Sequence, residues 1–244
     1  MTRHPHRSAA RLRVLTATLA ALAVLQMPAG ATGAEPAASG AAAASATLAE
    51  LTPRLAVGDL VFIRVGARPF VEVAAATGSW TNHVGVVVDT TGAEPVIAES
   101  TVPWSRLTPL SRFAGRSQDG RVAVAPSAAP LSTDQQRRVA EAAQRRLGTW
   151  YDTGFDLHSR RQFCSRFVRE VLAEATGVQV GEVETFGQLL ERHPEADQRF
   201  WTLWYLGSIP WQRETVTPAS VLHSPRLVAV FDGRVAARRA GRSD

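Results

Sequence analysis

The chain has 244 residues, one cysteine and a formal net charge of +5. A single cysteine excludes a framework of internal disulfides. The 27 basic residues are all arginine, and four of them precede residue 32 and four follow residue 233. Residues 48–233 therefore hold 19 arginines against 20 acids, which argues against a nucleic-acid-binding domain.

The N-terminal segment predicts export. Four arginines precede an uncharged apolar run of about 14 residues, VLTATLAALAVLQM, which ends in the small-residue stretch PAGATGA. This pattern predicts a secretory signal peptide over residues 1–31, cleaved near Ala31 or Ala34, since the run is shorter than the roughly 20 residues of a spanning helix. We therefore expect an exported protein, periplasmic or extracellular, with no transmembrane segment in its mature form. Residues 32–47, rich in alanine, are interpreted as a tether.

The part of the chain from residue 48 to residue 233 is long enough for one domain with a substantial core. Three β-rich segments come first, at residues 56–66 (AVGDLVFIRVG), 83–90 (HVGVVVDT) and 96–100 (VIAES). Polar connections between them predict an antiparallel meander. The segment RVAVAPS at residues 121–127 predicts a fourth strand.

Helical periodicity replaces strand alternation in the next part of the chain. Residues 133–148 and 164–177 each carry apolar residues at helical spacing and end in glycine. An aromatic cluster in residues 185–213 predicts the core of a second helical layer, and PRLVAVFDG at residues 225–233 predicts a closing strand. Strands segregated from helices predict an α+β fold, with an antiparallel sheet packed against helices. Residues 234–244 are basic and are expected to form a disordered tail, either solvated or touching an anionic cell envelope.

Cys164 opens the second predicted helix, in the stretch QFCSRFVREVL. Unpaired backbone N–H groups and the helix dipole at a helix start stabilise a thiolate, the form of cysteine that acts as a nucleophile. The alternative is a small buried hydrophobe that packs with Phe163 and Phe167. This feature alone does not decide between the two interpretations.

His83 and Glu99 are the candidate partners of this thiol. His83 stands at the mouth of an apolar strand, where an imidazole can face a cleft, although a satisfied histidine at a strand end is the alternative. Glu99 lies in the following strand, and antiparallel pairing can bring its carboxylate beside His83 to fix the tautomer of the ring. By itself Glu99 would be interpreted as a surface residue. Together, Cys164, His83 and Glu99 predict a constellation for nucleophilic catalysis.

Four short motifs, and the order in which they follow one another, indicate a family. They are GDLVFIR (58–64), NHVGVVVD (82–89), VIAES (96–100) and FCSRFV (163–168). They resemble the motifs of the NlpC/p60 superfamily of papain-like cysteine hydrolases. Here the strands precede the helix that carries the cysteine, and this order resembles the circularly permuted YiiX/YebB-like branch of the superfamily. The relatives of that branch include the lecithin:retinol acyltransferase-like enzymes. The resemblance covers roughly residues 55–231. It implies a permuted papain-like fold with Cys164 as nucleophile, His83 as base and Glu99 as the polar third residue.

The loop before Cys164 departs from the pattern of many relatives, because HSRRQF places two arginines where a compact aromatic segment is usual. Arg161, or its neighbour Arg160, is a candidate to bind a carboxylate or phosphate group, with a solvated loop arginine as the alternative. Tyr151 is a candidate to line the substrate cleft, with a surface turn as the alternative. No cofactor or metal site is predicted, since the core histidines lie far apart and no phosphate loop or dinucleotide fingerprint is present.

Three functions are compatible with this sequence. The first is an exported cysteine hydrolase that cleaves amide or peptide bonds through a thioacyl intermediate. The family resemblance and the predicted export indicate cell-wall peptidoglycan as its substrate. The second keeps the thioacyl chemistry and acts on acyl lipids or esters as a hydrolase or acyltransferase, which the aromatic cluster favours. The third is a non-catalytic binding module on the same scaffold. The expected partner is a peptide, cell-wall or acyl-lipid substrate, and no nucleic acid.

Overall fold

The computed structural model describes residues 44–236 of the chain. The predicted signal peptide, residues 32–43 of the predicted tether and residues 237–244 of the predicted tail lie outside the described residues. None of the helices within residues 44–236 combines the length and the apolar content that a bilayer crossing requires.

Strands and helices follow one another irregularly along the described residues. The strands are β1 (Ala44–Thr47), β2 (Leu60–Val65), β3 (His83–Asp89), β4 (Val96–Glu99), β5 (Arg106–Pro109), β6 (Ser117–Ala125), β7 (Val183–Thr185), β8 (Glu214–Val216) and β9 (Phe231–Ala236). The α-helices are α1 (Leu48–Leu51), α2 (Arg68–Ala76), α3 (Leu110–Ala114), α4 (Thr133–Gln144), α5 (Cys164–Thr176), α6 (Phe186–Arg192), α7 (Gln198–Trp204) and α8 (Pro218–Leu222).

Seven of these strands form one sheet in the order β1-β9-β6-β2-β3-β4-β5, and β7 pairs with β8 apart from it. Within the large sheet every neighbouring pair is antiparallel except β1 and β9, which run parallel at one edge. The predicted α+β fold is confirmed, and so is the antiparallel meander, which consists of β2, β3 and β4. The sheet is antiparallel as predicted apart from its edge strand.

Both faces of the sheet are covered, because the side chains of the central strand β2 are apolar on both sides. Leu60 and Phe62 pack under α4 and α5, whereas Val61 and Ile63 face α1 and α3, and all four are fully buried. The predicted apolar face of α5 is likewise buried. Gly177, at a φ of 77°, ends α5 in the left-handed conformation that favours glycine.

The closing strand lies later in the chain than predicted, at residues 231–236 rather than 225–233. Val228 and Val230 are 52% and 45% exposed, so the first half of the apolar run lies outside the sheet. Phe231 is buried and pairs with β6, and from there the residues alternate between the core and solvent.

The folded domain also extends beyond the expected boundaries of residues 48 and 233. Residues 44–47 of the predicted tether form β1, and residues 234–236 of the predicted tail belong to β9. Each of these short segments is held by the other, because the register joins Ala44 to Gly233 and Thr47 to Ala236. The composition of neither segment indicates that the two segments pair with each other.

Candidate active site

Cys164 is the first residue of α5, and its side chain is buried. Phe163 precedes it as an N-cap residue without a side-chain hydrogen bond, so the first N–H groups of the helix remain available to a negative charge. Burial alone would raise the pKa of Cys164, but the positive charge of the neighbouring His83, followed by the backbone N–H groups of Val84 and Ser165, lowers it below its ordinary value. The surroundings therefore favour a thiolate.

His83 begins β3 and lies fully buried beside this thiol. Burial alone would lower the pKa of His83, but the thiolate of Cys164 and then the carboxylate of Glu99 raise it to about 9. Gly85 makes room for the packing around the ring, because a Cβ there would lie 2.4 Å from Ile97 Cγ2 and 3.0 Å from Phe113 Cε2. Phe113 in turn packs against the imidazole, with ring centres 5.6 Å apart.

Glu99 ends β4 and holds the other side of the imidazole. Its Oε2 lies 2.6 Å from His83 Nε2 and accepts a hydrogen bond of 2.7 Å from Arg116, while Oε1 accepts one of 2.6 Å from Thr108 Oγ1. Burial alone would raise the pKa of Glu99, but His83 and then Arg116 lower it to about 2, so the group is a carboxylate. Because Nε2 is bound to Glu99, Nδ1 is the ring nitrogen left without a hydrogen-bond partner among the described residues.

Tyr151 brings a second unpaired polar atom to the thiol. Its Oη is buried and, among the described residues, has no hydrogen-bond partner, as is also true of His83 Nδ1. Burial and then the negative charge of Cys164 raise the pKa of Tyr151 well above its usual value, so the phenol keeps its proton and can donate it. The backbone N–H of Cys164 lies near the same phenol oxygen. Two donors therefore converge beside the sulfur.

The loop that carries Tyr151 is fixed from two sides. Tyr151 N–H donates to Pro103 O at 2.9 Å, and Asp152 N–H donates to Gln162 O at 2.7 Å. Ser100, next to Glu99, donates through Oγ to the same Gln162 carbonyl at 3.0 Å. The segment after Glu99 and the segment before Cys164 are therefore linked directly.

A small apolar cavity of about 30 Å³ adjoins the thiol. Its walls include Cys164, Tyr151 and a ring of bulky apolar side chains from four parts of the chain. These are Val73, Phe155, Phe163, Phe186 and Trp201. A volume of this size holds one or two water molecules, so the cavity accepts only a small substituent unless neighbouring side chains move.

Helix α2 contacts the site through Phe70. The Phe70 ring lies 6.1 Å from the centre of the His83 imidazole and 6.0 Å from that of Tyr151. Phe70 and Phe113 thus both pack against the buried imidazole, and the exclusion of water strengthens the electrostatic contacts among the charged groups.

The sequence-derived candidates divide into two sets. Cys164, His83, Glu99 and Tyr151 are brought together in one buried cluster. Arg161 and its neighbour Arg160 are exposed and do not line the cavity beside the thiol.

Three residues at the site were missed by the sequence analysis, namely Phe70, Thr108 and Arg116. They lie on or beside the short elements α2, β5 and α3, which span nine, four and five residues and carry no clear periodic pattern. No sequence signal points to Thr108 or Arg116. Phe70 is the first aromatic residue after β2, in a connection that the predicted meander left without an element.

Comparisons with known proteins agree with the motif resemblance. A family model described as a permuted papain-like amidase enzyme of the YaeF/YiiX, C92 family matches residues 54–231. The chain is 28% identical over 173 residues to the uncharacterized protein YiiX of Escherichia coli (strain K12), which covers 71% of this chain and 84% of YiiX. A crystal structure of YiiX from Escherichia coli O157:H7, described as a metalloprotein, has a TM-score of 0.67 at 28% identity and covers 73% of this chain and 97% of that chain.

The residues around Cys164 do not resemble a metal centre. Within residues 44–236 no group of three His, Cys, Asp or Glu side chains converges in a way that could hold an ion. Both oxygens of Glu99 and the Nε2 of His83 are already engaged with each other or with Thr108 and Arg116.

Proposed function

Since this chain belongs to the permuted papain-like amidase family and is a papain-like cysteine hydrolase, we propose that Cys164 is its nucleophile, with His83 as acid and base and Glu99 as the group that orients His83. The observation that carries this proposal is the buried contact of the three side chains, in which the pKa of Cys164 is lowered and that of His83 is raised to about 9. A thiolate beside an imidazolium is the reactive form of such a pair.

In the first step, the Cys164 thiolate attacks the carbonyl carbon of the substrate amide. The carbonyl oxygen becomes an oxyanion, and the Cys164 backbone N–H and the Tyr151 hydroxyl are the donors available to it. The carbon–nitrogen bond then breaks, and the amine leaves with the proton from His83 Nδ1. The product is a thioester on Cys164.

In the second step, water releases the acyl group. His83 is now neutral and takes a proton from the water molecule as its oxygen attacks the thioester carbon. The carbon–sulfur bond breaks, a carboxylic acid leaves, and the thiolate–imidazolium pair is restored. Glu99 remains ionised throughout, because its low pKa of about 2 keeps the proton on the imidazole.

Amide or peptide bonds in the cell wall are the proposed substrate. The N-terminal arginines and the apolar run that predict export support this assignment, because an exported amidase meets the peptides of the cell envelope. The cavity beside Cys164 also supports it, since about 30 Å³ accommodates a small side chain and not a long acyl chain. The alternative, hydrolysis or transfer of acyl lipids or esters, requires side chains such as Phe186 and Trp201 to move apart.

The ion pair can be tested by measuring the rate of alkylation of Cys164 against pH. The apparent pKa of the thiol should lie well below about 8.5 in the wild-type protein and should rise in His83→Ala. His158→Ala is a matched control, because His158 is exposed and should leave the titration unchanged. A thiol with an ordinary pKa in all three proteins would refute the assignment of Cys164 and His83.

The substrate can be tested separately by incubating the protein with cell-wall fragments and with labelled phospholipid. Mass spectrometry should show peptide release from the fragments by the wild-type protein and none by Cys164→Ala. Release of fatty acid from the phospholipid, without peptide release, would replace the amide assignment with the acyl-lipid alternative. Peptide release that persists undiminished in Cys164→Ala would remove Cys164 from the mechanism.

A further inference from the structure

A polar groove lies next to the small cavity beside Cys164. The groove has a volume of about 440 Å³, which is in the size range of ligand-binding clefts, whereas the cavity measures about 30 Å³. Thr77, Leu189 and Thr217 border both spaces, so the groove and the cavity share a wall. Because Ala219 and Ser220 of α8 belong to its lining, it is called the α8 groove here.

Hydrogen bonds tie the α8 groove to the helix of the nucleophile. Ser165, which follows Cys164 in α5, donates through Oγ to Val216 O at 2.7 Å. Val216 ends β8, and the next residue, Thr217, lines the groove and caps α8 by accepting the N–H of Ser220 at 3.1 Å. The groove therefore has a fixed position relative to the thiol.

Ionisable side chains of both signs line the α8 groove. They are Glu182, Glu184, Arg192, His193, His223 and Arg226. Arg192 forms an ion pair with Glu184, so these two charges offset each other. Glu182 and Arg226 are exposed, and within residues 44–236 they form hydrogen bonds only through their backbone atoms. One carboxylate and one guanidinium group are therefore available to a ligand.

Charges of both signs are also present close to the groove. Arg169 donates to Gly181 O at 2.5 Å. Glu195 lies 3.2 Å from His193 Nδ1, and Glu191 lies on α6 without lining the groove. A polyanion such as a nucleic acid would be repelled by the carboxylates, and an apolar chain would desolvate charged groups without pairing them. The lining therefore fits a ligand that carries both a positive and a negative charge.

We propose that the α8 groove binds the part of a peptide substrate that carries both an ammonium and a carboxylate group, with Glu182 and Arg226 as their partners. This inference rests on the proposed function, because it makes the groove a subsite of an amidase whose nucleophile is Cys164. A substrate lying across the shared wall places a small side chain in the cavity and its charged residue in the groove. Charge-assisted hydrogen bonds at both groups give the subsite affinity and fix the orientation of the peptide.

Peptide binding to the full chain carrying Cys164→Ala tests this assignment without relying on cleavage. The probe is acetyl-Ala-Ala-Ala-Lys, which has small side chains and carries an ammonium and a carboxylate group on its last residue. Its affinity is measured by isothermal titration calorimetry. Two modified probes each lack one charge, namely the C-terminal amide and the peptide with an acetylated lysine side chain. We expect each modified probe to bind roughly tenfold more weakly than the parent peptide.

Two further variants in the same background show which residue meets which charge. Arg226→Gln should weaken binding of the parent peptide by roughly tenfold and leave the affinity for the amide unchanged. Glu182→Gln should weaken binding of the parent peptide by a similar factor and leave the affinity for the acetyl-lysine peptide unchanged. Arg160→Gln is the matched control, because Arg160 is exposed and does not line the groove.

Equal affinity for the three peptides, or no binding of any of them, would overturn the assignment of the groove. An equal loss of affinity for the parent peptide and the amide in Arg226→Gln would do the same. If the peptides bind as expected but the wild-type protein cleaves neither the parent peptide nor cell-wall fragments, the amidase function fails and the binding site is retained. If the wild-type protein cleaves the parent peptide but the affinities ignore both charges, the amidase function is retained and the groove is removed from it.

Discussion

Two histidine–glutamate pairs of nearly the same length occur in different parts of the molecule. His83 Nε2 lies 2.6 Å from Glu99, and His158 Nε2 lies 2.7 Å from Glu214. The side chains of the first pair are 1% and 0% exposed, whereas those of the second are 71% and 48% exposed. The two pairs share their chemistry and differ in their surroundings.

The comparison teaches that the carboxylate alone does not make a histidine reactive. An exposed ion pair contributes at most about 1 kcal/mol and is screened by salt. The buried pair is different because Glu99 is also held by Thr108 and Arg116, and because the thiolate of Cys164 meets the opposite nitrogen of His83. The thiolate of Cys164 and the carboxylate of Glu99 raise the pKa of His83 to about 9, although burial alone would lower it.

The largest expected difference between the two pairs is in catalysis. His83→Ala should lower kcat for amide hydrolysis by roughly 10³ to 10⁴, because both proton transfers are lost and the thiolate loses its counter-ion. His158→Ala should leave kcat within about twofold. Steady-state kinetics of the two variants on one amide substrate measures this contrast. Equal losses of kcat in both variants would show that the two histidine–glutamate pairs do not differ in function.

A smaller effect is expected from the hydroxyl that completes the buried cluster. Tyr151→Phe should lower kcat by roughly 10² to 10³ with little change in KM, because a donor to the oxyanion is removed while the ring that packs against Phe70 remains. Tyr205→Phe is the matched control, since the Tyr205 hydroxyl already donates to Gly154 O and lies away from the thiol. A loss expressed mainly in KM would assign Tyr151 to substrate binding instead.

Glu99→Gln sharpens the comparison further, because it keeps the shape of the side chain and removes its charge. We expect a loss of about 10² in kcat, since the imidazole loses the partner that orients it. Glu214→Gln should have no comparable effect. The two variants are compared by kcat and by thermal unfolding, and Glu99→Gln should also lower Tm because it leaves Arg116 without its carboxylate partner.

The smallest expected difference between the two histidine–glutamate pairs is in the pH dependence of activity. Activity should fall on the acid side as the Cys164 thiolate, whose pKa is lowered, takes up a proton. Activity should also fall on the alkaline side above about pH 9, where His83 loses the proton that the leaving amine needs. Removing the charge of Glu99 should move the alkaline limb to lower pH, because that charge raises the pKa of His83. His158→Ala should shift neither limb, and a shift there would contradict the comparison.

The parts of this site that could be predicted from sequence lie at the ends of long, strongly patterned elements. His83 begins a strand that is apolar almost throughout, and Cys164 begins a helix with a clear apolar face, so each residue stands out against its own element. Glu99 could be placed beside His83 because a short connection joins β3 to β4. The fold class followed from the same pattern of strands before helices.

Other parts could not be predicted because they depend on contacts between distant segments. Thr108 and Arg116 reach Glu99 from short elements without periodicity, and nothing in their own neighbourhood indicates that contact. The closing strand was placed too early because Leu227 to Val230 are apolar, although three of these residues are exposed and the pairing with β6 begins at Phe231. In both cases the tertiary pairing, and not the local sequence, decides the outcome.

The parallel pairing of β1 with β9 has a mechanical consequence. Tension that arrives through the residues before Ala44 is applied first to the edge of the sheet, where four residue pairs join β1 to β9. The strand that carries His83 is four strands away, beyond β9, β6 and β2. A pull on the N-terminal end of β1 would therefore act first on the edge strand, and three strands separate β1 from the strand that carries His83.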